Sequence, residues 1–285
     1  MDSTTAGTAL ACAPGRRRIW ICLAVLLLGA SLPVVPASRT PPARASISIN
    51  QGKGFDTCNT SIENLQAFWS DTPYYNVGIY LGGASYGCTD VPDASYMNQV
   101  VAMGWHVMSL WVGPQAPCSG FQVTMSWDAT VAYSQGVAEA KSVYDRMVAL
   151  QMDTVDTPVT YDLEGFDTTD SACLAAARSF IQGWTDQLHV PTAQRSGVYG
   201  STCGSAVAGY AADFIHGAEW DDNPNTGDMS SCVPDDWWTA HQRHKQYAGN
   251  VLETWNGVTL NVDRDCSDGP VYPTSDVLDP GQGCV

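Results

Sequence analysis

Two carboxylic acids stand two positions apart in the segment 158–164, where apolar and polar residues alternate. Successive side chains of a β-strand point to opposite faces, so Asp162 and Glu164 are predicted to share the face opposite Val159, Tyr161 and Leu163. Crowded and poorly solvated carboxyl groups raise one another's pKa. A protonated acid beside an ionised one is the pair that cleaves glycosidic bonds, so this segment is a candidate catalytic strand.

Two further acids end predicted strands. Asp56 closes the short run 54–56, and Asp263 closes the run 258–263, in which Val258, Leu260 and Val262 alternate with polar residues. If the strands form one closed barrel, the first and last are neighbours, and all four acids converge at one mouth. The alternative for any single acid is a solvated carboxylate, because the chain has 29 Asp and Glu residues.

Aromatic residues fall on the same predicted inward faces. Tyr80, Trp111 and Tyr199 belong to three different strand candidates, and Tyr247 or Trp220 stands near the end of a later one. Such rings would stack on the apolar faces of sugars. Core packing is the alternative for each of them.

The elements that would position these residues alternate along the chain. Strand candidates occupy 54–56, 77–83, 105–113, 158–164, 195–201, 217–220, 244–248 and 258–263, with helical periodicity between many of them, including 128–151, 171–189 and 205–214. Eight repeated βα units predict an α/β fold, a single (β/α)₈ TIM-type barrel of parallel strands. A doubly wound open sheet is the alternative, but no Gly-x-Gly-x-x-Gly turn supports it.

The first 45 residues have the pattern of a signal peptide and a Pro/Ala-rich leader. Arg16-Arg17-Arg18 precedes the apolar run 19–30, and cleavage is predicted after Ala37 or Ala45. The alternative is an uncleaved anchor, for which the run is short. The pattern predicts a secreted protein, extracellular or associated with the cell wall, whose barrel comprises residues 46–285.

The charge excludes several classes of partner. The full chain carries −16, and removal of residues 1–45 takes away five of 13 basic and one of 29 acidic residues, which leaves −20. Nucleic acid and anionic membranes are therefore not expected partners. We expect a monomer that has no membrane contact after signal cleavage.

Eight cysteines follow the leader, and none forms a Cys-x-x-Cys pair. An even number at wide spacing predicts disulfides in an oxidising compartment rather than a zinc site. Eight cysteines allow 105 connectivities. The last sixteen residues, rich in Pro, Asp and Gly, are predicted to be a tail tied back by Cys284.

Three other motifs give weaker alternatives. Gly83 to Gly87 match the Gly-x-Ser-x-Gly pattern of serine esterases, but loop-forming residues follow where a helix is required. His241 and His244 lack the further ligands of a zinc site, and the acidic loop 221–228 does not have EF-hand spacing. We therefore predict no metal and no cofactor.

Five segments together resemble a known family. Residues 54–58, 77–83, 113–118, 161–164 and 196–199 resemble the glycoside-hydrolase-like domain of unknown function in secreted actinobacterial proteins, along nearly the whole chain after the leader. That domain is related to the (β/α)₈ muramidases, lysozymes that cleave peptidoglycan glycan. The resemblance implies a barrel that acts on cell-wall glycan or another polysaccharide.

The same resemblance implies roles for individual residues. Glu164 would be the general acid, and Asp162 would position the substrate or stabilise developing positive charge, with Asp56 and Asp263 in support. Gln246-Tyr247 resembles a Gln-Tyr pair on a late strand of the lysozymes. A non-catalytic saccharide-binding barrel is the alternative function. A neutral polysaccharide suits the charge of −20 better than an anionic wall.

Overall fold

Eight strands close into a barrel in the computed structural model, which describes residues 48–230, 232–274 and 278–284. The strands are β1 (Ile49–Asp56), β2 (Asn76–Gly82), β3 (His106–Trp111), β4 (Pro158–Asp162), β5 (Arg195–Ser201), β6 (Phe214–Ala218), β7 (Arg243–Trp255) and β8 (Val258–Pro270). The helices are α1 (Ile62–Asp71), α2 (Ala94–Met103), α3 (Ala129–Ala149) and α4 (Ser171–His189). The predicted α/β barrel is therefore confirmed. The predicted leader, residues 1–45, lies outside the described residues.

The barrel wall closes through a parallel pairing of β1 with β2. From β2 to β7 each strand pairs in parallel with the next, and α1 to α4 cross over between the first five strands. Helices α3 and α4 pack closely, because a Cβ at Gly136 would stand 2.0 Å from the Phe180 carbonyl oxygen. Tyr161 of β4 points outward onto Trp184 of α4, with ring centroids 5.1 Å apart. The predicted outward direction of the apolar set in β4 is thus confirmed.

The prediction that all eight strands are parallel is wrong for the last one. Strand β8 runs antiparallel to both β7 and β1. No helix separates β7 from β8, because Asn256 and Gly257 form a two-residue turn with φ angles of 48° and 79°, the left-handed values that a tight hairpin needs. Residues 251–262 form the tip of this hairpin, beyond the pairing of β8 with β1.

The helix predicted over 205–214 is also wrong, because only a single 3-10 turn forms, at Val207–Gly209. The backbone N–H of Asp213 instead donates to the Ser196 carbonyl at 2.8 Å, and its carboxylate accepts the Ser196 N–H at 2.9 Å. These bonds continue the sheet, so β6 begins at Phe214 rather than Gly217. In the described parts of 219–242 there is no α-helix before β7.

All eight cysteines after the leader form disulfides, as predicted. Three of the bonds join segments that follow neighbouring strands at the carboxyl end of the barrel, with Cys173 in the first turn of α4: Cys58–Cys88, Cys118–Cys173 and Cys203–Cys232. The fourth, Cys266–Cys284, ties the tail to β8. The tail also adds a strand, β9 (Leu278–Gly283), parallel to β1. Within the described ranges, no helix has the length and apolar character to cross a bilayer.

Candidate active site

The four predicted acids meet at the carboxyl-terminal mouth of the barrel. Asp56 and Asp162 are the last residues of β1 and β4, and Glu164 follows two residues after the end of β4. Asp263 is paired with Asp56 across the β1–β8 ladder. Gly78 makes room for them, because a Cβ there would stand only 2.4 Å from the Asp56 Cβ.

Asp56 is the best-anchored of the four. Its carboxylate accepts hydrogen bonds from the Tyr80 hydroxyl at 2.7 Å and from Gln246 Nε2 at 2.9 Å. The Gln246 side-chain oxygen in turn accepts from the Tyr199 hydroxyl at 3.0 Å and from Trp220 Nε1 at 2.9 Å. Strands β1, β2, β5 and β7 thus fix one polar network beneath the mouth.

Glu164 is held through its backbone by Gln115, a fully buried residue in the loop after β3. Gln115 Nε2 donates to the Asp162 carbonyl at 2.8 Å, and its side-chain oxygen accepts the Glu164 N–H at 2.8 Å. One amide therefore fixes the segment that carries both acids. Sequence reasoning missed this role, although Gln115 belongs to one of the five family-like segments.

Burial raises the pKa of all four acids, and repulsion by neighbouring acids raises it further in Asp56, Asp162 and Glu164. Burial raises the pKa of Asp162 well above its usual range, and the charges of Glu164 and Asp56 raise it further. Burial also raises the pKa of Asp56, and the charges of Asp265 and Asp263 raise it further. Burial and Asp263 raise the pKa of Glu164, and burial raises that of Asp263. The mouth therefore retains protons that isolated carboxylates would lose.

A second layer of buried polar residues lies beneath Asp56 and was missed from the sequence. His216 Nε2 lies 2.9 Å from Asp265 Oδ1, and both residues are at most 1% exposed. His244 Nδ1 lies 2.8 Å from Ser267 Oγ. Burial lowers the pKa of His216 to about 4, so this histidine is uncharged near neutral pH. The period-two alternation of β8, continued from Asp263 to Asp265 and Ser267, was the signal available for this layer.

An open cleft of about 470 Å³ extends from Glu164 along β5 and β6. Glu164, Tyr199, Glu219 and Trp220 are among its lining residues. Trp220 is 59% exposed, and its ring packs against Gly249, where a Cβ would stand 2.3 Å from Cζ2. The cleft thus combines a carboxyl group with an accessible aromatic face, the two features that a saccharide site uses.

Of the five predicted binding residues, Tyr199 alone lines this cleft, and two others lie away from both the cleft and the polar network around Asp56. Trp111 is buried, and its Nε1 donates to Glu139 of α3 at 2.7 Å. Tyr247 follows the inward-facing Gln246 and lines a separate cleft with Lys53 and Arg264. Adjacent residues of a strand face opposite ways, so Gln246 and Tyr247 do not share a face. Tyr80, Tyr199 and Gln246 do lie together.

The Gly-x-Ser-x-Gly segment, the two histidines and the acidic loop do not contribute to the cluster of four acids. Ser85 lies in a loop, as expected, and α2 begins only at Ala94. His241 contacts Asp268, whereas His244 contacts Ser267, so the two histidines have different partners. Asp221 of the acidic loop accepts a hydrogen bond from Lys245. Among the described side chains there is no group of three or more His, Cys, Asp or Glu residues arranged to hold a metal ion.

Solved structures share this fold. An uncharacterized B. stearothermophilus protein is 14% identical, with a TM-score of 0.51 over 77% of this chain and 99% of that one. The Mycobacterium tuberculosis Tat-secreted protein Rv2525c is 14% identical, with a TM-score of 0.50 over 79% and 98% of the two chains. The catalytic domain of endolysin ply40 from bacteriophage P40 of Listeria monocytogenes is 13% identical, with a TM-score of 0.50 over 76% and 93%.

Sequence comparison adds the family. No curated protein matches the chain. The model of the Rv2525c-like, glycoside hydrolase-like domain matches residues 66–267, which include Asp162, Glu164, Asp263 and the whole cleft. Since that match spans more than half of the 285 residues, the chain belongs to the Rv2525c-like glycoside hydrolase-like family.

Proposed function

We propose that this protein is a glycoside hydrolase that cleaves cell-wall glycan or another polysaccharide, with Glu164 as the general acid. One observation carries the proposal: carboxyl groups at the ends of β1 and β4, in β8 and in the segment after β4 meet at the mouth of a glycoside hydrolase-like barrel, and an open cleft leads to Glu164. Active sites of such barrels lie at this end.

Glu164 has the environment of a proton donor. It is partly buried, its pKa is raised by burial and by Asp263, and its carboxyl group forms no hydrogen bond within the described residues. Its proton would pass to the leaving oxygen as the glycosidic C–O bond breaks, and water would complete hydrolysis at the anomeric carbon.

The other acids would act on the developing charge. Asp162 lies next to Glu164 and would position the substrate or stabilise the oxocarbenium-like transition state. Asp56 is held by Tyr80 and Gln246, and it would orient a sugar hydroxyl together with Asp263. Tyr199 and Trp220 would stack against the sugar ring.

A second candidate function is a saccharide-binding barrel without turnover. The observation that favours it is the engagement of both Asp56 oxygens by Tyr80 and Gln246, which gives that acid a structural role independent of catalysis. In that case the carboxyl groups would only accept hydrogen bonds from sugar hydroxyls.

The site of action is also a proposal. Four disulfides suit an oxidising compartment, and residues 1–45 have the pattern of an export signal. We infer that the protein is exported and works outside the membrane, in the medium or at the cell wall, as a monomer.

The test is release of reducing ends from peptidoglycan and from neutral polysaccharides. The full chain would be produced in a secreting host and purified from the medium, beside Glu164→Gln and the control Asp145→Asn on the outer helix α3. We expect hydrolysis by the wild type and the control, and sugar binding without hydrolysis by Glu164→Gln. An active Glu164→Gln would contradict the assignment of the acid. Binding by the wild type without hydrolysis would support the second candidate.

A further inference from the structure

The acids at the mouth lack the positive partners that other acids of this protein have. No Lys or Arg within the described ranges pairs with Asp56, Asp162, Glu164 or Asp263. Three of the basic side chains pair with acids elsewhere: Arg195 with Asp156, Lys245 with Asp221 and Arg264 with Glu253. Arg146 and Arg243 donate to backbone carbonyls, and Arg178 packs under Gly209. Lys53 lines the cleft that contains Tyr247, and Lys141 is exposed on α3.

A buried acid with an open hydrogen-bonding position adds an independent observation. Asp162 is 6% exposed, and its Oδ1 has no hydrogen-bond partner in the part of the chain that the structure describes. The Asp162 carboxyl group belongs to the cluster, since the charges of Glu164 and Asp56 both raise its pKa. A buried polar atom without a partner is costly, and a hydrogen-bond donor on a bound ligand would remove that cost.

The histidine beneath the cluster does not supply the missing charge. His216 is fully buried and has a pKa of about 4, so it is neutral near pH 7. Its Nε2 is already engaged by Asp265. Within the described residues, neither this histidine nor a Lys or Arg therefore places a positive charge among the four acids.

The surroundings distinguish between the possible cations. Within the described residues, no group of three or more acids, His or Cys is arranged to hold a metal ion. The cleft beside the acids carries the exposed ring of Trp220 and the Tyr199 hydroxyl, which suit a sugar. An ammonium group offers three hydrogen-bond donors and one charge at once.

We propose that the mouth binds glycans that carry free primary amines, with the ammonium group of an unacetylated amino sugar seated among Asp162, Glu164 and Asp263. The proposal deepens the proposed function, because it assigns the substrate class of the same site. The charge of −20 after leader removal would attract such a cationic polymer, whereas N-acetylation removes both the charge and two of the donors.

The test compares two oligosaccharides of equal length, made of glucosamine or of N-acetylglucosamine, by calorimetry on the full chain. We expect the amine form to bind at least about tenfold more tightly at low salt. That preference should shrink as salt is added, since it depends on charge. Equal affinity, or tighter binding of the acetylated form, would overturn the proposal.

Two variants locate the effect. Asp263→Asn should reduce the preference for the amine form several-fold, while Asp145→Asn removes the same charge from α3 and should leave it unchanged. An equal effect of both variants would overturn the proposal in favour of general charge attraction. Calcium that binds alone and excludes the amine oligosaccharide would overturn it in favour of a metal site.

Hydrolysis is scored separately, so the two proposals fail in different ways. Tight binding of the amine oligosaccharide without cleavage would support this substrate class and contradict the hydrolase. Cleavage of acetylated glycan with no preference for the amine form would support the hydrolase and overturn the substrate class.

Discussion

Two carboxyl groups of this barrel, Glu253 and Glu164, have opposite environments. Glu253 of β7 accepts hydrogen bonds from the Tyr74 hydroxyl at 2.7 Å, from Trp255 Nε1 at 2.8 Å and from Arg264 Nε at 2.6 Å. These donors lower its pKa despite burial. Glu164 has no such donors, and burial and a neighbouring acid raise its pKa.

The difference separates an acid whose charge is stabilised by donors from one whose charge is not. The surroundings of Glu253 stabilise its charge, so this acid supports the fold between β7 and the neighbouring elements. No Lys or Arg among the described residues pairs with the acids of the mouth, and clustered acids with raised pKa values are candidates for a functional site. The hydrogen-bond donors and charged groups around each carboxyl group, rather than burial alone, therefore account for the opposite pKa shifts of Glu253 and Glu164.

Substitution of Glu164 and of Glu253 should differ most in its effect on the rate of glycan hydrolysis. Glu164→Gln should lower the rate of glycan hydrolysis by roughly 10²- to 10⁴-fold, the usual contribution of a general acid. Glu253→Gln should leave the rate within about twofold, because that residue lies outside the cleft. Initial rates at saturating glycan measure both. Equal losses would remove the distinction.

Gln115→Leu should have the next largest effect. It removes the amide that fixes the Asp162 carbonyl and the Glu164 N–H, so the acid loses its position. We expect hydrolysis to fall by about 10- to 100-fold through kcat, with a smaller change in KM. Gln194→Leu is the control, since that buried glutamine bonds carbonyls at the other end of β5. A similar kcat loss in the control would mean that the effect is general.

The free energy of unfolding should change more with Glu253→Gln than with Glu164→Gln. Glu253→Gln leaves Arg264 without its charged acceptor, and we expect a loss of about 1–3 kcal/mol in the free energy of unfolding. Glu164→Gln should change it by less than about 0.5 kcal/mol or increase it, because no hydrogen bond of its side chain is removed. Urea denaturation at pH 7 measures both values.

Glu253 and Asp162 should also contribute to the free energy of unfolding with opposite dependence on pH. The lowered pKa of Glu253 gives stability that is present above the unfolded-state value and is lost as pH falls through the folded-state value. The raised pKa of Asp162 has the opposite sign: ionisation destabilises the folded state as pH rises from the unfolded value through the folded one.

Asp162→Asn tests whether ionisation of Asp162 destabilises the folded protein. The variant should be more stable than the wild type by about 1 kcal/mol near neutral pH, and the gain should vanish below the unfolded-state pKa of about 4. The Glu253→Gln deficit should instead disappear in acid. Denaturant midpoints from pH 3 to pH 8 give both curves, and parallel curves would contradict the assigned signs.

Sequence patterns predicted the barrel because its outer face obeys simple periodicity. Val159, Tyr161 and Leu163 point outward, so the acids between them had to point inward. The interior follows no apolar pattern, since it holds Asp265, His216 and their partners. The segment 263–270 therefore has the composition of a loop, although it is the part of β8 that closes the barrel.

The direction of β8 could not be predicted for a related reason. A two-residue turn at Asn256-Gly257 decides it, and this signal lay between two segments already assigned to separate βα units. Asp263 nevertheless reaches the mouth, because an antiparallel strand that starts beyond the rim passes it at the level where β1 ends.

The three disulfides at the mouth imply that protein synthesis and site formation are separate events. Each bond joins the segments that follow one neighbouring pair of strands: after β1 and β2, after β3 and β4, and after β5 and β6. A reducing cytoplasm would leave the barrel wall to fold by its sheet and helices, with these loops untied. The rim around the acids would become fixed only where thiols are oxidised, so the geometry of the mouth depends on the redox state of the compartment as well as on the fold.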